Sequence, residues 1–219
     1  MWPILPLRTG QSFTGQQFLR DQNKNLFSRL IEHIMKSNKN LWVTLVLMII
    51  VAALYRIIPD RPMGFAPQLA MALFGGAVIK DKKLAFALPI FSMFVSDVIY
   101  HVLYTAGLSS IPGFYEGQFT NYFLFAAMTV IGFMVKKINV QNIVIFSLVI
   151  CSAFFLLSNF FVWNGGGGYG RPHTFAGLMQ AYEDGLPFFR NSIFATLVFS
   201  GLLFGAWRLI TGFKPLVNQ

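Results

Sequence analysis

Long apolar runs separated by short polar turns make up most of this chain. They occupy Leu41 to Ile58, about Phe65 to Ile79, Leu84 to Tyr104, Phe119 to Val135, Ile143 to Trp163 and Pro187 to Ile210. A helix of about 20 mostly apolar residues crosses a bilayer, and sustained apolar runs of that length read as such helices. The pattern predicts an all-α fold, a polytopic membrane protein built as a six-transmembrane-helix bundle. The second run is short and is interrupted by Pro67 and by Gly75-Gly76. No soluble linker and no internal repeat separates the runs, so residues 41–210 read as one domain. Residues 1–40 form an N-terminal tail and 211–219 a C-terminal one. In the first tail Leu26, Phe27, Leu30, Ile31, Ile34 and Met35 recur at helical spacing, with Lys24, Arg29, Glu32 and Lys36 between them. That is a basic amphipathic helix suited to the membrane surface, either as an anchor or as a docking helix. The tail lacks the short apolar core and small-residue cleavage site of a removed signal, and Met35 offers an alternative start.

Composition supports the same class. Hydrophobic residues make up 55% of the 219 and charged ones only 11%, whereas soluble domains carry roughly 25% charge. Cys151 is the only cysteine and excludes an internal disulfide. The net charge of +9 would suit nucleic acid, but its distribution explains it otherwise. With six spans the termini share a side. Of the 17 Lys and Arg residues, only Arg56, Arg61, Arg171 and Arg190 fall on the opposite side. Cytoplasmic loops carry the Lys/Arg excess, so both termini are expected in the cytoplasm of a bacterial inner membrane. No nucleic acid is expected as a partner.

This topology gathers the polar side chains of the spans on the outer side. Asp97 and His101 lie in the outer half of span three, and Asn159 and Trp163 near the outer end of span five. Gln68, Asn121, Arg190 and Asn191 stand at the outer starts of spans two, four and six, and Tyr169 lies in the external loop. Asp97 is the sharpest of these. A carboxylate within a span is costly and usually faces protein or water. His101 and Tyr104 share its helical face. Two readings stay open: a polar wall of a ligand pocket, or a packing pair in which His101, Arg190 or Arg61 caps Asp97. Metal is a third, with Asp97, His101 and His173 as ligands. Asn159 can donate and accept at once, which suits an orienting contact to a small ligand. It can equally join two helices, and Trp163 can be an interfacial anchor.

The run Gly165 to Gly168 lacks phosphate-loop spacing and reads as a turning connection. After it, Thr174 is a plausible N-cap for a short amphipathic helix that Gly185 ends, either a lid or a static surface helix. Ser96, Asp97 and His101 crowd one helix with no nucleophile elbow. No catalytic residue, cofactor or metal is therefore assigned, and an enzyme is not expected.

The segments Pro62 to Ala77, Ser96 to Ile99, Phe155 to Trp163 and Gly177 to Asn191 resemble an uncharacterised bacterial six-span membrane family. That family is itself similar to the substrate-binding (S) components of energy-coupling-factor (ECF) transporters. The resemblance implies a bundle that binds a vitamin or related micronutrient near its outer face. It also implies a transmembrane coupling subunit and ATPase subunits as partners, since the chain has no ATP-binding motif. Span one holds Ala52 and Ala53 without the Ala-x-x-x-Ala spacing of S components; Ala66 and Ala70 have it, in span two. The substrate-binding residues expected on this reading are Asp97, His101, Asn159, Trp163, Tyr169 and Asn191, then Gln68, Asn121 and Arg190. The competing expectation is a structural or assembly subunit of an inner-membrane complex, in which the same groups only pack helices.

Overall fold

The computed structural model describes residues 38–166 and 168–211, with side chains from 43 to 209. By its contacts the chain divides into Met1–Leu41 and Trp42–Gln219, and the description that follows is of the second unit. The amphipathic helix expected over residues 26–35, the alternative start and the tail beyond Thr211 lie outside the described residues.

Among the described residues there are six helices: α1 (Asn38–Arg56), α2 (Gln68–Val78), α3 (Lys82–Thr105), α4 (Gln118–Phe133), α5 (Val140–Asn164) and α6 (Phe175–Thr211). No strand occurs among the described residues. Helices α3, α5 and α6 are long and apolar enough to cross a membrane. Helices α2, with 11 residues, and α4, with 16, fall short of the ~20 that a crossing requires. The expected all-α architecture is present among the described residues, and by length and composition three of its helices suit a membrane crossing. Large apolar side chains such as Val43, Leu47, Phe119, Val140 and Leu202 face outward. Lipid solvates such a surface and water does not.

The shortest helix is the centre. Helix α2 packs against α3, α4, α5 and α6, and Gln68 through Gly75 are all buried. Its crossing with α4 is set by glycine. A Cβ on Gly132 would lie 2.7 Å from the Leu73 carbonyl oxygen and 2.8 Å from the Gly76 Cα. Small residues let helix backbones approach in a membrane, where packing rather than hydrophobicity drives association. A sharp turn then leads into α3, where the Asp81 carboxylate caps the helix by accepting from the Lys83 N–H at 2.8 Å.

Helix α6 departs from the expected pattern. In place of a surface helix ending at Gly185 and a new span at Pro187, one helix of 37 residues runs through both. The expected N-cap is seen, with Thr174 Oγ1 accepting from the Gly177 N–H at 3.1 Å. Gly185 does not stop the helix, because it serves packing instead: its missing side chain leaves room for Asn159 of α5, whose Oδ1 would lie 2.5 Å from a Cβ there. Pro187 sits within the helix, where it removes one backbone hydrogen bond and crowds the carbonyl a turn earlier. Tertiary contacts with α5 carry the helix across the proline: Phe155 stacks on Phe189 with ring centroids 4.6 Å apart. Further along, buried Ser147 donates to Ser200 at 3.2 Å and Cys151 to Thr196 at 3.2 Å.

Candidate functional site

The last turn of α1, the outgoing half of α3, the entry to α2, the start of α4 and the middle of α6 are cross-linked to one another. Cross-links at this end are numerous. Asn191 Nδ2 donates to the Met63 carbonyl at 2.8 Å and Ser192 Oγ to the Gly64 carbonyl at 3.1 Å. The opposite end carries Lys80, Lys82, Lys83, Lys136 and Lys137 in and beside its turns. The polar chemistry resolves into two separate arrangements.

The first centres on Asp97, 1% exposed in the outgoing half of α3. Arg56, from the last turn of α1, bonds Asp97 Oδ1 and reaches Ser96 Oγ at 2.5 Å. Oδ2 accepts from Gln118 Nε2 and, at 2.7 Å, from the Tyr122 hydroxyl. Tyr100 donates to the Arg56 carbonyl at 2.8 Å. Both carboxylate oxygens are thus bonded by protein, and one acid ties together α1, α3 and α4. Arg56, not His101, Arg190 or Arg61, is the partner. His101 is exposed and packs its ring on Phe114 at 5.7 Å, and Arg190 is also exposed. Gly113 lies so close over the α3 backbone at Asp97 and His101 that no Cβ fits there. Asn121 donates to the Tyr115 hydroxyl at 2.5 Å.

The second is a cavity of about 290 Å³ between α5 and α6, roofed by the loop that joins them. Asn159, Trp163 and Tyr169 line it; Asp97, His101, Gln68, Asn121, Arg190 and Asn191 do not. The wall facing Asn159 belongs to α6, where Ala181, Gly185, Phe189 and Ser192 turn inward, and not to span three. Asn159 Nδ2 donates to the Phe155 carbonyl at 2.8 Å. Trp163 donates from its indole to the Pro172 carbonyl at 2.9 Å, and stacks with His173 at 5.3 Å. That anchors the roof, whose turns need glycine: Gly166, Gly168 and Gly170 all have positive φ. At the rim Arg171 Nε and Nη2 donate to the two oxygens of Asp184 at 2.8 and 2.9 Å. Hydrogen bonding to Asp184 holds the Arg171 guanidinium above its ordinary pKa, and the fork geometry makes this pair specific.

Gln68 stands apart from both. It is the first residue of α2, is 2% exposed, and its Nε2 has no hydrogen-bond partner. Among the described residues no three His, Cys, Asp or Glu side chains gather as a metal site, and His173 does not join Asp97 and His101. Sequence reasoning missed Arg56, Gln118 and Tyr122 as partners of Asp97, and Arg171 with Asp184 at the rim. The available signal was positional: an arginine ending span one lies level with an acid in the outer half of span three.

The fold and these sites define an α-helical membrane protein with a small, largely apolar cavity beneath a tethered loop. The chain belongs to a family of unknown function, DUF6580, whose model matches residues 36–216. No curated protein and no solved structure matches it.

Proposed function

We propose that the chain is a membrane-embedded small-molecule binding component, similar to the S components of ECF uptake transporters. The cavity between α5 and α6 carries this reading. Its volume is near the lower end of ordinary ligand pockets, and its apolar walls with a few polar groups match their chemistry. On this reading Asn159, Trp163 and Tyr169 contact the ligand, a vitamin or related micronutrient. The Asp97 cluster holds the bundle beside it. Helices α1, α2 and α4 complete a six-span bundle with both termini in the cytoplasm of a bacterial inner membrane. The lysine-rich turns at the end away from the cavity support that orientation. A coupling subunit and ATPases supply the energy for uptake.

The test is ligand retention. Full-length protein extracted in detergent is expected to release a bound small molecule on denaturation, detected by mass spectrometry. Asn159→Ala is expected to lose it while its unfolding temperature stays within a few degrees. A chain that never carries a small molecule, but co-purifies stoichiometrically with other membrane proteins, would instead be a structural or assembly subunit.

A further inference from the structure

Resting on the binding reading above, we infer that the cavity selects an uncharged, flat, ring-bearing ligand that donates hydrogen bonds, and that the Arg171–Asp184 pair enforces this selection. Shape gives the ring. Phe155 and Phe189 already stack at 4.6 Å with planes 27° apart, and Phe154, Phe188 and Trp163 extend the aromatic lining. A flat ring slides against such walls with little loss of contact.

Polarity gives the donor. Five of the side chains lining the cavity direct a hydrogen-bond donor into protein. Ser192 donates to Gly64, Ser158 to Phe155 at 3.4 Å, and the Cys151 thiol to Thr196. Trp163 donates its only N–H to Pro172, and Asn159 spends an amide N–H on Phe155. What these groups still hold is mostly lone pairs, on the hydroxyl oxygens of Ser158 and Ser192 and on Asn159 Oδ1, beside one remaining Asn159 N–H. A carboxylate or phosphate offers only acceptors and would meet more acceptors than donors, the donors being the second Asn159 N–H and the Tyr169 hydroxyl.

Charge gives neutrality. Arg171 and Asp184 are the charged residues in the lining, and each engages the other through two hydrogen bonds. An anionic ligand that displaces Asp184, or a cationic one that displaces Arg171, leaves a charge at the rim without its partner. A ligand that buries its own charge without compensation pays heavily.

Three probes of one shape separate these terms: indole, 1-methylindole and indole-3-carboxylate. The readout is built in, because Cys151, the chain's sole cysteine, lies at the cavity and is 1% exposed. In detergent, indole is expected to slow modification of Cys151 by methyl methanethiosulfonate, followed by intact mass, and to raise the unfolding temperature. Both analogues are expected to bind at least about tenfold more weakly. Asp184→Asn, which frees Arg171 at the rim, is expected to tighten indole-3-carboxylate about tenfold or more. Preference of the unaltered protein for the carboxylate, equal binding of 1-methylindole, or no gain in Asp184→Asn overturns the inference. If a co-purified ligand is present, those failures leave the binding reading standing. If no ligand co-purifies and none of the probes protects Cys151, both fall.

Discussion

Asp97 shows how one side chain acquires its role only from its neighbours. Its cost in an apolar helix is met by Arg56, Gln118 and Tyr122, so its place is architectural. Replacing it by leucine strands the Arg56 guanidinium, and breaking such a buried pair costs roughly 3 kcal/mol or more. Thermal unfolding in detergent is expected to show that loss for Asp97→Leu. The double variant Arg56→Met with Asp97→Leu is expected to recover most of it, because an apolar pair of similar volume leaves no charge behind. Gln68 predicts the opposite sign. Its buried Nε2 lacks a partner, so Gln68→Leu removes an unmet donor and is expected to raise stability by about 1 kcal/mol. A lower unfolding temperature for that variant would show that the amide has a partner in the membrane-embedded protein.

At the scale of elements, α2 and α6 carry the lessons. The glycines of α2 and α4 are where two backbones meet, so Gly132→Leu forces them apart. Overpacking of this kind costs about 1–3 kcal/mol, readable as a lower unfolding temperature with unchanged helicity. Gly201 and Gly205 on α6 face open space, and alanine at either is expected to raise stability by about 0.5–1 kcal/mol, because it lowers the backbone entropy lost on folding without a clash. The continuous α6 was not legible in the sequence. Gly185 and Pro187 carry ordinary helix-stop chemistry, and only the approach of Asn159 and the Phe155–Phe189 stack turn them into interior positions. The spans ending at Trp163 and Tyr104 were readable to within a turn, since apolar periodicity over 20 residues outweighs local exceptions.

For the molecule as a whole, the division between a lysine-rich end and a cavity end is the feature on which the proposed orientation and the proposed uptake rest. It is open to direct measurement. With Cys151 replaced by serine, cysteines at Lys137 and Glu183 are expected to react with an impermeant maleimide from opposite sides of the membrane in intact cells and inverted vesicles. Labelling of both from one side would remove the proposed orientation. The two polar arrangements at the cavity end are structurally distinct, and ligand retention is expected to respond to Asn159 more than to Asp97 at equal stability.

The positions of the first five helices, the membrane class and the gathering of polar residues at one end were legible in the sequence alone. These follow from local hydropathy and from charge counts, which need no knowledge of neighbours. Which polar residues share a site was decided by tertiary structure. Periodicity shows that Asp97 and His101 share a face, and that Asn159 and Trp163 do. It cannot show that Arg56 reaches the first face while α6 closes over the second. Those pairings depend on helix order and crossing, set by close approaches such as Gly76 to Gly132 and Gly185 to Asn159. A cavity is the space such packing leaves unfilled, and no single residue encodes it.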